Sequence, residues 1–175
     1  MGYYDGVRPG MEWVVAGEGE ATEMVDGEEC AIWSGKLYRR KDFARGEDIP
    51  SGVLRARIVP DPLTGLWPHW VAVNVFNEDD ERFVRAWFNT SWATNDTVYV
   101  AVGKHFCGNP YGLDDDFLER VGRIKIKDCP RDYKGIREYL RTHEIKGIVW
   151  WRDGKPMCKV ERSGFGFEWP VMKGE

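Results

Sequence analysis

The side chains able to do chemistry without a bound metal are scattered along this chain rather than paired. His105 lies in the loop Lys104-His-Phe-Cys-Gly-Asn-Pro110, where an imidazole can contact a phosphate or act as a base, although a loop histidine with no partner visible in the sequence more often does neither. His69, between Pro68 and Trp70, and His143, where a helix end would let it complement the dipole, have weaker claims. No Ser-His-Asp or Cys-His set has independent support. Cys30, Cys107, Cys129 and Cys158 are widely spaced, with no CxxC pair and no histidine at zinc-ligand spacing. That argues against a metal finger and a compact disulfide framework, and for four free thiols in a reducing cytoplasm. Arg120, Arg123, Lys125, Lys127 and Arg131 form the one candidate track for RNA phosphates, against the plainer reading of a solvated strand face. Nine Trp offer flat surfaces for stacking on bases, but most are expected to pack in the core and at its edges.

These residues must be positioned by a chain of 175 residues, enough for one compact domain spanning 1–175 with a real core. Hydrophobic residues at 42% and charged residues at 31% make an ordinary globular balance, so disorder is not expected. A net charge of -4 gives no global field for polyanions; contact with RNA would need a local basic groove. The first 20 residues are broken by Asp, Arg, Pro and Glu, unlike a signal peptide, and apolar runs such as 70–76 are too short to cross a bilayer. A cytoplasmic protein without a membrane partner is expected.

Residues 21–40 read as two short strands, with a hairpin turning at Ser34-Gly35. Residues 53–59 (VLRARIV) alternate as a half-exposed strand, and 70–76 (WVAVNVF) run apolar as a strand buried on both faces. The period does not decide whether 83–92 is helical. Residues 97–102 (TVYVAV) are β-branched and strand-like; 114–120 suggest a short helix with acidic residues at its N-terminal end; 123–126 suggest a strand. Asp132 caps an expected helix over 133–143 with Tyr133, Ile136 and Leu140 on one face. Residues 148–151 and 156–160 form a second hairpin around Arg152-Asp-Gly154. Mostly antiparallel strands with two or three helices define an α+β class.

Several stretches fall in the order of a known family. Ala21-Thr-Glu-Met24-Val-Asp26-Gly27, followed by Gly35-Lys-Leu-Tyr-Arg39-Arg40, resembles the Lys-x-Asp-Gly motif of covalent nucleotidyltransferase ligases and its downstream arginine. Tyr99-Val-Ala-Val-Gly103 running into Gly108-Asn-Pro-Tyr-Gly-Leu113 resembles the ribose-contacting segment and Gly-Asn-Pro loop of the small ATP-dependent RNA ligases of vertebrates, large viruses and phages. Lys146-Gly-Ile-Val-Trp150 resembles their Glu-Gly-Ile-Val-Trp strand. Cys158-Lys159-Val-Glu161 with Phe165-Gly-Phe-Glu-Trp169-Pro170 resembles their phosphate-binding lysine strand and tail, and Gly65-Leu-Trp-Pro-His-Trp-Val71 a connecting stretch. The resemblance covers about residues 21–170. It implies the ATP-grasp-like ligase adenylylation fold: two antiparallel sheets with flanking helices and a central nucleotide cleft.

The departures bear on function. Met24 stands at the nucleophile position, Val100 and Lys146 at carboxylate positions. A thioether cannot form the phosphoramidate that an amine forms with AMP, and neither valine nor lysine coordinates magnesium, which takes oxygen ligands. No intact catalytic set and no metal site are therefore expected. One lost lysine alone would suit an introduced substitution or a natural loss equally; two further lost carboxylates favour a natural pseudoenzyme. The exchanges at Val100 and Lys146 make the implied cleft more positive by about three charges, before the loss of one at Met24. Arg39, Arg40, Lys104, Lys146 and Lys159 would then gather around phosphates. Glu23 would accept from an adenine amino group beside Met24, His105 would contact phosphate, and Phe106 or Trp150 would stack. About half of the five cations are expected to be plain surface residues. The expected function is noncovalent binding or sequestration of a nucleotide or nucleotide-derived signal without any required cofactor, in one version by a phage protein that evades host immunity. The alternatives are an ATP-dependent RNA ligase needing Mg, with Met24 in place of its lysine, and an RNA-end-binding module.

Overall fold

The computed structural model describes residues 2–171. In chain order the elements are α1 (Glu12–Val15), β1 (Glu20–Glu23), β2 (Glu28–Trp33), β3 (Lys36–Phe43), β4 (Leu54–Arg55) and β5 (Trp67–Ala72). There follow α2 (Glu81–Phe88), β6 (Thr97–Val102), β7 (Phe117–Arg120), α3 (Tyr133–Thr142), β8 (Gly147–Arg152) and β9 (Lys155–Glu161), with short 3-10 turns at Glu78–Asp80 and Arg162–Phe165. The class is α+β, with two antiparallel sheets and few helices. The described residues fall into two compact units, one made of the segments up to Val25 and from Val121, the other of Asp26–Arg120. No helix among them is long and apolar enough to cross a membrane.

The second unit, Asp26–Arg120, holds a six-stranded sheet in the order β4-β5-β3-β2-β6-β7. Ser34 and Gly35 both adopt positive φ (49° and 70°), the two-residue turn whose twist matches its flanking strands, so the β2/β3 hairpin forms where the sequence indicated. Cys30, Ile32 and Leu37 pack with Tyr99, Ala101 and Leu118 and are covered by Phe83 and Ala86 of α2. Residues 83–92, undecided from the sequence, thus supply the end of a helix that buries Phe83 and Ala86, three residues apart.

Three expectations in this unit are corrected. Of 53–59 only Leu54–Arg55 pairs, and Ile58 and Val59 are exposed. The strand placed at 70–76 runs instead from Trp67 to Ala72 and leaves Val75 and Phe76 exposed. Asn74 ends it, because its side chain accepts the Phe76 N–H at 3.0 Å and replaces the ladder by a local turn. The acidic run before 117 does not cap a helix. Asp115 and Asp116 spend their carboxylates on backbone N–H groups of the loop, Leu118 is buried, and β7 pairs with the edge of β6.

The first unit holds the sheet β1-β8-β9 with α1 and α3. Asp132 caps α3 by accepting the Gly135 N–H at 2.9 Å, and Ile136 and Leu140 pack with Trp13, Val14, Ile148 and Trp150. Asp153 and Gly154 at positive φ turn the β8/β9 hairpin. The strand expected at 123–126 reduces to one bridge, Thr22 to Lys125. It begins beside Gly122 (φ 76°), where a side-chain carbon would lie 2.6 Å from the Trp151 ring.

Candidate functional site

In the first unit β1 ends at Glu23, and the Met24 N–H donates to the Gly147 carbonyl at 2.9 Å, which sets Met24 at the start of β8 beside Lys146. Met24 and Lys146 thus fall one residue out of register with each other at this end of the sheet. Both are half-buried, as is Glu23, whose carboxyl pKa is raised by burial against the opposing charge of His143. Lys159, on β9, is exposed and reaches Glu161 at 2.6 Å. Trp150 is 1% exposed, in the core under the Arg131 guanidinium at 4.9 Å, so its ring presents no open face for a base. His143 stacks on Tyr139 at 3.8 Å and bonds its carbonyl, the placement of a helix-end residue.

In the second unit Arg39 donates its Nε–H to buried Asp80 at 2.6 Å. Arg40 pairs with Asp42 at 2.8 Å and with Glu29; burial opposes its charge, but these carboxylates outweigh burial and raise its pKa. Val100 is buried opposite Glu29 on β2 and packs on Gly27. A side-chain carbon at Gly27 would lie 2.2 Å from the Ala101 carbonyl oxygen and 2.5 Å from Val100 Cγ1, so Gly27 serves close approach to β6. Lys104 is exposed. Phe106 is wholly buried, edge-on to Phe83 at 5.1 Å, and is a core residue by position. His69 is buried between Phe43 and Trp67 with Nδ1 on the Trp67 carbonyl.

His105 is placed differently. Its Nδ1 bonds Asp116 Oδ2 at 2.7 Å and its backbone N–H donates to Oδ1 at 2.9 Å, while Asp116 itself is fully buried. The imidazole lines an open depression of about 640 Å³ together with Arg39, Arg82 and Arg85 and with the four carboxylates Glu78, Asp79, Asp80 and Glu81. Arg82 reaches Glu28 at 3.0 Å and Arg85 reaches Glu81 at 2.8 Å. Thus Arg39 and His105, among the residues singled out from the sequence, meet in one concavity; Asp80, Arg82 and Arg85 join them there, and Asp116 supports His105 from beneath. Arg82 and Arg85 carry a legible signal, two arginines three apart on an amphipathic helix; Asp116 carries none, because an acid in an acidic run reads as a cap.

The basic track is dispersed by use. Arg131 donates to the Val14 and Gly19 carbonyls at 2.9 Å each, Lys125 bonds Glu20 at 2.9 Å, and Arg120 lies over Trp92. Among the described residues no group of His, Cys, Asp or Glu is arranged to hold a metal ion, and the four cysteines are free. No family model and no curated protein matches the chain.

Proposed function

We propose that this chain is a catalytically degenerate RNA-ligase-like domain of the nucleotidyltransferase type that binds a nucleotide or nucleotide-derived signal noncovalently. The observation that carries the proposal is the meeting of Arg39 and His105 with two further arginines in one open depression, a concave surface of mixed charge, with four carboxylates beside the arginines, and of a size suited to a small ligand. The chemistry of the altered positions supports the noncovalent part. Met24 lies at a strand end beside Lys146, where an attacking amine and a carboxylate would be needed, and Val100 packs hydrocarbon on Gly27. The free cysteines fit a reducing compartment. In the biological version sequestration of a host signal by a phage protein follows from the resemblance and the absent chemistry. The RNA-end reading is weakened, since Arg131 and Lys125 already have partners.

Calorimetry against ATP, NAD, ADP-ribose derivatives and cyclic oligonucleotides tests the proposal: saturable binding of one of them, unaffected by removing magnesium, is expected, and silence from all would end it. The ligase alternative predicts a labelled protein-AMP adduct once Met24→Lys restores the amine. The present reading predicts little or none, because Val100 and Lys146 remain.

A further inference from the structure

We propose that the depression of the second unit is a subsite for a terminal phosphate, a phosphomonoester, bound through Nε2 of His105 with Asp116 as its orienting residue; the nature of the rest of the ligand rests on the nucleotide reading above. Every polar group of Asp116 is engaged. Its two carboxylate oxygens hold His105, its carbonyl accepts from Asn89 at 3.1 Å, and its N–H donates to Asp115 at 2.8 Å. The loop closes on it at Gly103 (φ 130°), where a side-chain carbon would lie 2.2 Å from the Asp115 carbonyl oxygen and 2.9 Å from Asp116 Oδ1. A carboxylate on Nδ1 requires the proton there, which leaves Nε2 of the neutral ring as an acceptor. Nε2 has no hydrogen-bond partner among the described residues, and the side chain is 42% exposed.

The neighbours favour an anion of limited size. Arg39 uses only Nε on Asp80, leaving both Nη groups without a partner among the described residues, and Arg85 uses only Nη2 on Glu81. Arg82 is fixed over the Phe83 and Phe106 rings, 5.2 Å from each centroid, and donates to the His105 carbonyl at 3.4 Å. Guanidinium edges of this kind match phosphate oxygens. A phosphomonoester has a second ionisation at pH ~6, so its monoanion keeps an O–H that can donate to Nε2 while its other oxygens accept from the arginines. A phosphodiester has no such proton and offers one charge. Four carboxylates on the same surface, Glu78, Asp79, Asp80 and Glu81, outnumber the three arginines; they repel an extended polyanion, and Glu78 and Asp79 accept from hydroxyl groups. The geometry therefore points to a small sugar phosphate or mononucleotide with a free terminal phosphate, not to a nucleic-acid chain.

The test follows the His105 ring resonances by NMR, and affinity by calorimetry, with inorganic phosphate, 5′-AMP, adenosine and the methyl ester of 5′-AMP as probes. Inorganic phosphate and 5′-AMP are expected to shift the His105 signals, and 5′-AMP to bind at least about tenfold more tightly than adenosine or the methyl ester. His105→Gln is expected to erase that preference. His105 signals unmoved by both phosphate and 5′-AMP would overturn the subsite, as would an undiminished preference in a folded His105→Gln variant; if that variant does not fold, the ring titration of the unaltered protein decides. Nucleotide binding with His105 silent ends the subsite and spares the nucleotide reading. Phosphate moving His105 while no nucleotide binds does the reverse.

Discussion

Two sets of arginines, one in each unit, are used in opposite ways. In the first, Arg131 and Arg162 give their donors to backbone carbonyls: Arg131 ties Val14 and Gly19, and buried Arg162 ties Leu140, His143 at 2.8 Å and Glu168 at 2.9 Å. In the second, Arg39, Arg82 and Arg85 each meet a carboxylate through part of the guanidinium, on the wall of an open depression. A cation saturated by carbonyls closes helix ends and loops and has nothing left for a ligand. One that meets a carboxylate through part of its guanidinium can keep that partner and still offer its open N–H groups to a phosphate. The count of positive charges alone does not distinguish these uses, whereas the partners do.

The comparison breaks first at Arg162. Arg162→Met strands three carbonyls, two of them at the C-terminal end of α3, and is expected to lower stability by about 3 kcal/mol or more, read as the midpoint of denaturant unfolding. Gly103→Ala comes next. The positive φ and the 2.2 Å approach to Asp115 predict a loss of about 2–4 kcal/mol and, with the loop displaced, loss of the His105 contact to Asp116. Arg85→Ala should leave stability within about 0.5 kcal/mol and weaken 5′-AMP binding by about five- to tenfold, measured by calorimetry. Equal stability losses at Arg85 and Arg162 would erase the distinction between the units.

The smallest effect belongs to Glu23. Burial raises its carboxyl pKa in the folded chain above the ordinary 4.5. The folded state therefore holds the proton more tightly, and stability falls as pH rises from the unfolded value through the raised folded one. Glu23→Gln should remove this decline and raise the melting temperature at pH 7 by no more than about 2 °C, with no gain at pH 3. A larger gain at pH 3 than at pH 7 would reverse the sign and refute the assignment.

Local chemistry made part of this legible in advance. Turn pairs whose central residues adopt positive φ fixed both hairpins, and Asp132 fixed the start of α3, because these signals act within a few residues. The acidic stretch misled because an aspartate before an apolar residue caps a helix or feeds a loop with equal ease. The choice was made by the β6 edge and by the buried place for Leu118, both far away in sequence. For the site, Arg39 was named from its motif and His105 only from its place in a loop, and the buried partner that orients His105 depends on the Gly103 closure, which no spacing announces. Phe106 and Trp150 looked like stacking rings for the same reason that they are core: a large aromatic beside cations reads alike in either role until its burial is known.

The most direct measurement combines intact-mass spectrometry and calorimetry on one sample of the unaltered protein given ATP with magnesium and, separately, 5′-AMP. The account predicts saturable heat from a nucleotide and a protein mass that stays unchanged. A mass increased by one AMP, or the absence of binding by every nucleotide tried, would contradict it.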